Sequence, residues 1–350
     1  MNSLAPRFLE DMTFTERQLR SMALLGAFRG QQHQLAAFPS SILAELEMRA
    51  KVDSIESSNR IEGITAPRSR IEALTLRSAP QPRNPHEKEI SGYRYALEQV
   101  RESKGRLPID ENILLQLHAS IGKYSDALSG TWKTQDNEII ERRPDGTTRF
   151  RFRPVRAAET VEAIRALMSR YQLAVHQDGR EPLLLVPLTV LDFLCIHPFD
   201  DGNGRCSRLL TLLLLYHFEY EIGRYISVDR IIEQSQETYY EALEASSKGW
   251  HQGKHDPHPW INYFWGVLIA AYKELDSRLS QMDTKRGSKT EVIRAAIRWQ
   301  LGAFAISDIE SEVPGISREM VRVVLNQMRE EGLIELQGRG RSAKWRRIME

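Results

Sequence analysis

The chain has 350 residues, 41% of them hydrophobic and 27% charged, with a formal net charge of +1. This composition excludes a disordered chain and leaves room for two or three domains. The near-zero net charge gives no whole-chain electrostatic argument for nucleic-acid binding. Two cysteines cannot build a disulfide framework. We therefore expect Cys195 and Cys206 to be buried thiols in a reducing compartment.

Neither a signal peptide nor a membrane span is predicted. The N-terminus lacks a basic segment followed by an apolar run. The longest apolar run, near residues 209–215, is far too short to cross a bilayer. We therefore expect a cytoplasmic protein that makes no membrane contact.

In chain order, the apolar pattern predicts a mainly α-helical protein. Residues 1–80 are predicted to be helical, with one helix capped by Ser40 that runs to Glu62 and stops at Gly63. Three prolines predict a linker over residues 78–86. Short β-like runs are predicted at 131–133, 139–140 and 150–152, around a turn signal at 144–146. Further helices are predicted over 87–101, 111–123, 157–176, 187–196, 204–220, 232–248 and 258–282.

A second linker, over residues 283–288, precedes a compact pattern at the C-terminal end. This pattern predicts a helix over 290–301, a short helix capped by Ser307, a longer helix capped by Ser317 and a hairpin over 334–348. Three helices followed by a basic hairpin resemble a winged helix-turn-helix. The predicted domains are an N-terminal region 1–80, a core 81–282 and the winged helix 289–350.

One segment, residues 197–208 with the sequence HPFDDGNGRCSR, carries most of the functional information. It combines a titratable base, carboxylates, glycines, an amide and two guanidinium groups. An oligophosphate is bound by backbone N–H groups at a helix start, by arginines and by a carboxylate that holds Mg²⁺. A transfer reaction also needs a base for the attacking hydroxyl. The spacing places residues 202–204 in the turn that opens a helix, with Arg205 and Arg208 on a shared face.

The segment matches the motif HPFx(D/E)GNGRxxR of the Fic family at every defined position, and the resemblance extends over roughly residues 20–280. The resemblance implies a mainly α fold: a Fic helical core with a short β-hairpin flap, here followed by the winged helix. It also implies a nucleotidyltransferase that uses ATP and Mg²⁺ to move AMP onto a Ser, Thr or Tyr hydroxyl of a protein.

The resemblance also assigns roles to individual residues. His197 is the base that deprotonates the target hydroxyl, and Asp201 binds the Mg²⁺ that bridges the phosphates. Tyr240 packs on the adenine, although a core helix residue is an alternative interpretation of this tyrosine. The phosphates are bound by backbone or side-chain groups of Gly202, Asn203, Gly204, Arg205 and Arg208.

Two other segments resemble parts of Fic proteins. The region 130–152 resembles the flap that holds the target as an added strand, with Thr131, Trp132 and Asn137 in plausible positions and Lys133 where many relatives carry arginine. Residues 58–63, SNRIEG, match the inhibitory motif (S/T)xxxE(G/N).

The inhibitory motif places Ser58 and Glu62 on one helix face. In the family its glutamate pairs with the second arginine of the motif, here Arg208, and takes the place that the γ-phosphate needs. An ordinary helix end that happens to carry a glutamate before its glycine is the alternative.

Two other functions stay open at this point. One is the transfer of UMP or phosphate at the same site. The other is a DNA-binding regulator whose core senses nucleotide, since residues 339–347 hold five basic side chains and no acidic one. Self-modification and a homodimer are further open interactions, and the sequence does not name the protein substrate.

Overall fold

The computed structural model describes residues 3–76, 80–125, 130–142, 148–176, 179–285, 289–298, 300, 303–313, 315–338 and 344–348. Over these residues the protein is mainly helical, as predicted, with two small antiparallel sheets. None of the helices described is both long enough and apolar enough to cross a membrane. The chain forms two compact units, Met1–Gln32 with Arg49–Tyr272, and His33–Met48 with Lys273–Glu350.

The N-terminal region is helical, as predicted. Its helices are α1 (Pro6–Glu10), α2 (Glu16–Gln31), α3 (Ser40–Ile61) and α4 (Arg68–Thr75), with a 3-10 turn over Gln32–Ala37. A capping box of Thr15 and Gln18 starts α2. The end of α3 is the one predicted, since Gly63 lies in the left-handed region with φ 77°.

The central region supplies the helices around the site. They are α5 (Pro85–Ser103), α6 (Glu111–Ile121), α7 (Ala157–His176), α8 (Pro182–Ile196), α9 (Asn203–His217), α10 (Val228–Gln234), α11 (Gln236–Ser247) and α12 (His258–Lys285). The predicted linker 78–86 is too long, because the Asn84 side chain caps α5 and Pro85 takes its first position. The predicted helix 232–248 is two helices that meet at Ser235.

Helix α8 starts at Pro182, five residues before the predicted helix 187–196. Pro187 lies inside α8 and not at its first turn. A proline inside a helix leaves the carbonyl four residues earlier without its N–H partner. Here the indole Nε1–H of Trp265 donates to the Leu183 carbonyl at 2.8 Å. A tryptophan from α12 therefore makes the internal proline tolerable.

The flap is an antiparallel hairpin of β1 (Ile139–Arg142) and β2 (Thr148–Phe152). The register pairs Ile139 with Phe152 and shifts between Ile139 and Ile140. Residues 131–133, predicted as β-like, form no strand, and the turn signal at 144–146 lies outside the described residues.

The C-terminal elements follow the predicted order: α13 (Lys289–Arg298), α14 (Ile306–Glu312), α15 (Arg318–Glu330), β3 (Ile334–Gln337) and β4 (Lys344–Arg347). Ser317 caps α15, as predicted. Ser307 does not cap α14, because that helix starts earlier and the Asp308 carboxylate accepts from the Ala305 N–H at 2.8 Å. Part of the predicted linker 283–288 belongs to α12, and the rest lies outside the described residues. The core of these elements contains Ile293, Ile297, Phe304, Ile309, Val321, Leu325, Met328, Ile334 and Trp345.

Candidate active site

The motif segment forms the loop that joins α8 to α9. His197 ends α8 with φ 51°, and its N–H donates to the Phe193 carbonyl at 2.8 Å. This residue precedes a proline, which disfavours the right-handed helical conformation. Gly202 precedes α9 with φ 76°, a left-handed conformation that a glycine adopts without strain. Two left-handed residues thus reverse the chain within a few positions.

This loop borders a cavity of about 500 Å³. The cavity brings together most of the residues that the sequence predicts for the site. It is lined by the loop and the start of α9, by the flap, by the end of α3 and by α11. The lining includes Glu62, Ile139, Phe152, His197, Asp200, Asp201, Gly202, Asn203, Gly204, Arg208, Tyr239, Tyr240 and Leu243.

The imidazole of His197 is half-buried at the edge of this cavity. Its Nδ1 lies 3.3 Å from the Leu194 carbonyl oxygen. A carbonyl only accepts, so Nδ1 carries the proton and Nε2 keeps its lone pair. Burial lowers the pKa of His197 to about 4, and the charge of Lys133 acts in the same direction. The ring is therefore neutral near pH 7, the state that a general base requires.

The N-terminus of α9 forms the second part of the site. Its first turn runs over residues 202–204, where backbone N–H groups lack helical partners and the helix dipole is positive. A Cβ atom at Gly204 would lie only 2.2 Å from Oε1 of Glu62. A glycine is therefore needed here for an anion to approach the helix start, and the Glu62 carboxylate occupies that approach.

Arg208 connects the two predicted motifs. Its Nη2 donates to Oε1 of Glu62 at 2.8 Å and to the Ser58 carbonyl at 2.8 Å. Its Nε donates to Oγ of Ser58 at 2.7 Å and lies 3.9 Å from a carboxylate oxygen of Asp229. The guanidinium is buried, whereas Glu62 remains partly exposed. The glutamate–arginine pair that the family resemblance implies is thus present in the structure.

Arg205 lies elsewhere than the sequence predicts. Its guanidinium is buried, lines no part of the cavity and lies 2.8 Å from a carboxylate oxygen of Glu89 on α5. Its Nη2 is also 3.8 Å from a carboxylate oxygen of Asp201. Residues three apart on a helix differ in direction by roughly 60°, and here that angle separates Arg205 from Arg208. Of the two guanidinium groups on the predicted shared face, Arg208 lines the cavity, and the role of Arg205 at a phosphate stays a prediction.

Asn203 uses its side chain within the loop. Oδ1 accepts from the Phe199 N–H at 3.0 Å, and Nδ2 donates to the Phe199 carbonyl at 2.7 Å. Both ends of the amide are therefore engaged by the backbone of the loop itself. The structure gives Asn203 a role in shaping the loop, and the predicted amide contact to a phosphate would have to displace these bonds.

The carboxylates and tyrosines of the cavity differ in exposure. The Asp201 side chain is 75% exposed, and Asp200, predicted to be solvated at a variable position, is exposed and also lines the cavity. Tyr240 is 38% exposed beside the buried Tyr239, which does not agree with the alternative interpretation of Tyr240 as a core residue. No cluster of three or more His, Cys, Asp or Glu side chains in the described part of the chain is arranged to hold a metal.

A buried histidine that sequence reasoning missed supports the loop from α6. The His118 ring stacks on Phe199 with centroids 3.8 Å apart. Its Nδ1 accepts from the Gly130 N–H at 3.2 Å, so Nε2 donates to the Asp201 carbonyl at 3.0 Å. Burial lowers the pKa of His118, which favours this neutral form. No local sequence signal marks this residue, because its partners come from distant segments.

Comparison with known proteins agrees with this architecture. Residues 108–215 match the family model for the Fic/DOC family, and this range includes the whole loop. A Fido domain-containing protein of Dictyostelium discoideum is 32% identical over 66 residues, which are 19% of this chain and 42% of that relative. The chain thus matches less than half the length of this curated relative.

Solved structures share the fold at low identity. A Fic family protein from Desulfovibrio desulfuricans has a TM-score of 0.62 at 21% identity, over 97% of this chain and 98% of that one. A Fic domain-containing signaling protein from Bacteroides thetaiotaomicron has a TM-score of 0.59 at 20% identity, over 72% and 95%. Fic-1 from C. elegans has a TM-score of 0.58 at 16% identity, over 77% and 73%. The chain thus contains a Fic/DOC domain over residues 108–215 and shares its fold with Fic family proteins, a family whose members generally transfer nucleotide or phosphoryl groups to proteins.

Proposed function

We propose that this chain transfers AMP from ATP to a hydroxyl side chain of a protein, and that Glu62 restrains the reaction. One observation carries the proposal: the Glu62 carboxylate lies against Gly204 at the start of α9 and pairs with Arg208. A helix N-terminus beside a buried arginine is a site for an anion. Glu62 occupies the site that the outermost phosphate of a nucleotide would need.

The rest of the cavity suits the other parts of ATP. Backbone N–H groups of residues 202–204, at the start of α9, would bind the inner phosphates. Tyr240 and Leu243 offer an apolar surface for the faces of a purine. In this arrangement Arg208 binds the γ-phosphate once Glu62 has moved aside, so inhibition and nucleotide binding compete for one guanidinium.

The transfer step uses His197 as its base. The target hydroxyl oxygen attacks the α-phosphorus, and its proton moves to Nε2 of His197. The bond from the α-phosphorus to the oxygen that bridges to the β-phosphorus breaks, and pyrophosphate leaves. The flap hairpin would hold the target segment as an added strand.

Asp201 is the residue that would hold Mg²⁺. Its exposed carboxylate lines the cavity, and Mg²⁺ typically combines one or two carboxylates with waters and substrate phosphates. The bound ion would neutralise charge on the phosphates. An exposed carboxylate just before the start of α9 fits that donor set.

The test compares wild type with Glu62→Gly, using ATP labelled at either the α- or the γ-phosphorus. We expect Glu62→Gly to incorporate α-label at least about tenfold faster, because an ion pair to a buried arginine is worth a few kcal/mol. Intact mass spectrometry should show a gain of one AMP on the chain itself or on a lysate protein.

The matched control is Glu102→Gly, an exposed glutamate near the end of α5 that does not line the cavity. It should label like wild type. Transfer of the γ-label alone would indicate a phosphoryl transferase, and a preference for UTP would indicate UMP transfer. Equal α-labelling by all three proteins, at matched folding, would leave Glu62 as an ordinary helix end.

A further inference from the structure

Residues 130–137, which precede the flap, hold the loop that carries His197 through hydrogen bonds. Because α8 stops abruptly at a left-handed residue, its last carbonyls lose their helical partners. The Nζ of Lys133 donates to the Ile196 carbonyl at 3.1 Å, and the Lys133 N–H donates to the Pro198 carbonyl at 2.8 Å. The segment thus supplies donors that the helix end itself lacks.

Asn137 completes this set of contacts. Its Nδ2 donates to the Phe199 carbonyl at 3.1 Å and lies 3.4 Å from the His197 carbonyl oxygen. Its Oδ1 accepts from Nζ of Lys133 at 2.8 Å. One ammonium therefore joins the end of α8 to the amide that contacts the carbonyls of His197 and Phe199.

Lys133 is an unusual residue for this position. Its side chain is buried, and burial lowers the pKa of Lys133 to about 8, so it is mostly charged near pH 7. A cation is favourable at the C-terminal end of a helix, where carbonyl dipoles point. An apolar side chain would leave the Ile196 carbonyl without this donor, and the contacts of the ammonium offset the free energy that its burial costs. Lys133 is thus committed to the end of α8 that carries His197.

The same segment continues into the flap. Trp132 stacks on Phe199 with centroids 5.2 Å apart, and β1 begins two residues after Asn137. The flap strand and the loop of His197 are therefore joined through a few direct contacts.

We propose that Lys133 is a positioning residue for His197. Lys133 holds the left-handed end of α8, so that the imidazole of His197 keeps its place at the cavity. The kinetic part of this inference rests on the proposed AMP transfer. The charged groups that bear on His197 are Lys133, Glu62 and Asp201, and Asp200 and Arg208 line the same cavity.

The test compares Lys133→Met and Lys133→Arg in a Glu62→Gly background. We expect Lys133→Met to lower kcat about 10- to 100-fold, with the KM for ATP unchanged, because a small displacement of a catalytic group has costs of this order. Lys133→Arg keeps the charge and the donors and should restore most of kcat. Lys51→Met is the matched control, since Lys51 is a largely buried lysine paired with Glu98 away from the cavity. It should lower thermal stability but leave kcat unchanged.

A second readout needs no activity. Nitrogen-15 NMR of the His197 ring should report a single tautomer protonated at Nδ1 in wild type and in Lys133→Arg, and a tautomer mixture in Lys133→Met. Should Lys133→Met fail to fold, Asn137→Ala removes the partly exposed end of the same set of contacts and should change kcat and the tautomer in the same direction. If Glu62→Gly transfers no AMP at all, the proposed function fails while the NMR result still decides on Lys133. An unchanged kcat with an unchanged tautomer, or a rise in KM alone, would overturn the inference.

Discussion

The two ends of the cavity are built in opposite ways. At the end that the proposed function assigns to the phosphates, here called the phosphate end, Arg208 is buried and His197 is held by the backbone of α8. Loop carbonyls at this end bind donors from α6, α9 and residues 130–137. At the flap end, the hairpin leaves Ile140 47% exposed and Phe150 53% exposed. Its link to α11 includes ion pairs from Arg149 and Arg151 to Glu244.

In the proposed reaction, this difference separates the end of the cavity that carries out the transfer from the end that recognises the target. Transfer between two oxygen atoms needs groups fixed to a fraction of an ångström, and a buried loop with satisfied backbone groups provides that precision. A strand that accepts different targets gains from exposed apolar side chains and from ion pairs that break at little cost. Substitutions at the phosphate end should therefore change kcat or nucleotide affinity strongly, and those at the flap end should change them weakly.

The largest expected effect comes from His197→Ala. In a Glu62→Gly background, it should lower transfer by about a thousandfold, because general base catalysis contributes factors of this order. Its affinity for ATP should stay close to that of the parent, since in the proposed complex the start of α9 and Arg208, and not His197, bind the phosphates. The measurements are α-label incorporation and titration calorimetry with ATP.

The pH profile gives the control for this prediction. A histidine acts as a base only when it is unprotonated, and the pKa of His197 is lowered to about 4. At pH 6 the His197 side chain is therefore neutral in nearly all molecules, whereas an ordinary histidine with a pKa near 6.5 would be neutral in about one-quarter of them. Activity at pH 6 should match that at pH 7.5 and fall only below about pH 5. A lower limb near pH 6.5 would contradict the buried, neutral imidazole.

The two arginines of the motif should separate binding from stability. Arg208→Lys should weaken ATP binding about 10- to 100-fold in the Glu62→Gly background, because lysine cannot form the bidentate contact. Arg205→Met should instead lower the free energy of unfolding by about 3 kcal/mol, because it leaves Glu89 without its buried partner. Calorimetry with ATP and denaturant unfolding measure the two effects. Similar losses of ATP affinity in both variants would mean that Arg205 also binds the nucleotide, as the sequence alone predicts.

The contrast between these arginines also shows which features of the site can be predicted from the sequence. The turn over residues 202–204 and the start of α9 beside the cavity follow from residues within one short segment, so local rules predict them. The direction of Arg205 depends on Glu89, which is remote in the chain, and the helix through Pro187 depends on Trp265. Contacts between distant segments decide these points, and a single sequence does not contain them.

The smallest expected effect lies at the flap. Glu244→Gln removes the negative charge that Arg149 and Arg151 share. The pair with the half-exposed Arg149 is worth about 1 kcal/mol or less, and the amide oxygen of glutamine can still accept from the more buried Arg151. We expect a change of about threefold or less in the KM for the protein target, with kcat unchanged, because the base and the phosphate site do not depend on this pair. Glu138→Gln, which breaks the more exposed pair with Arg153, is the matched control and should have a still smaller effect. Steady-state kinetics with a labelled target measure both variants. A tenfold loss of kcat in Glu244→Gln alone would mean that the flap end is as tightly fixed as the phosphate end. The distinction between fixed chemistry and adaptable recognition would then fail for this protein.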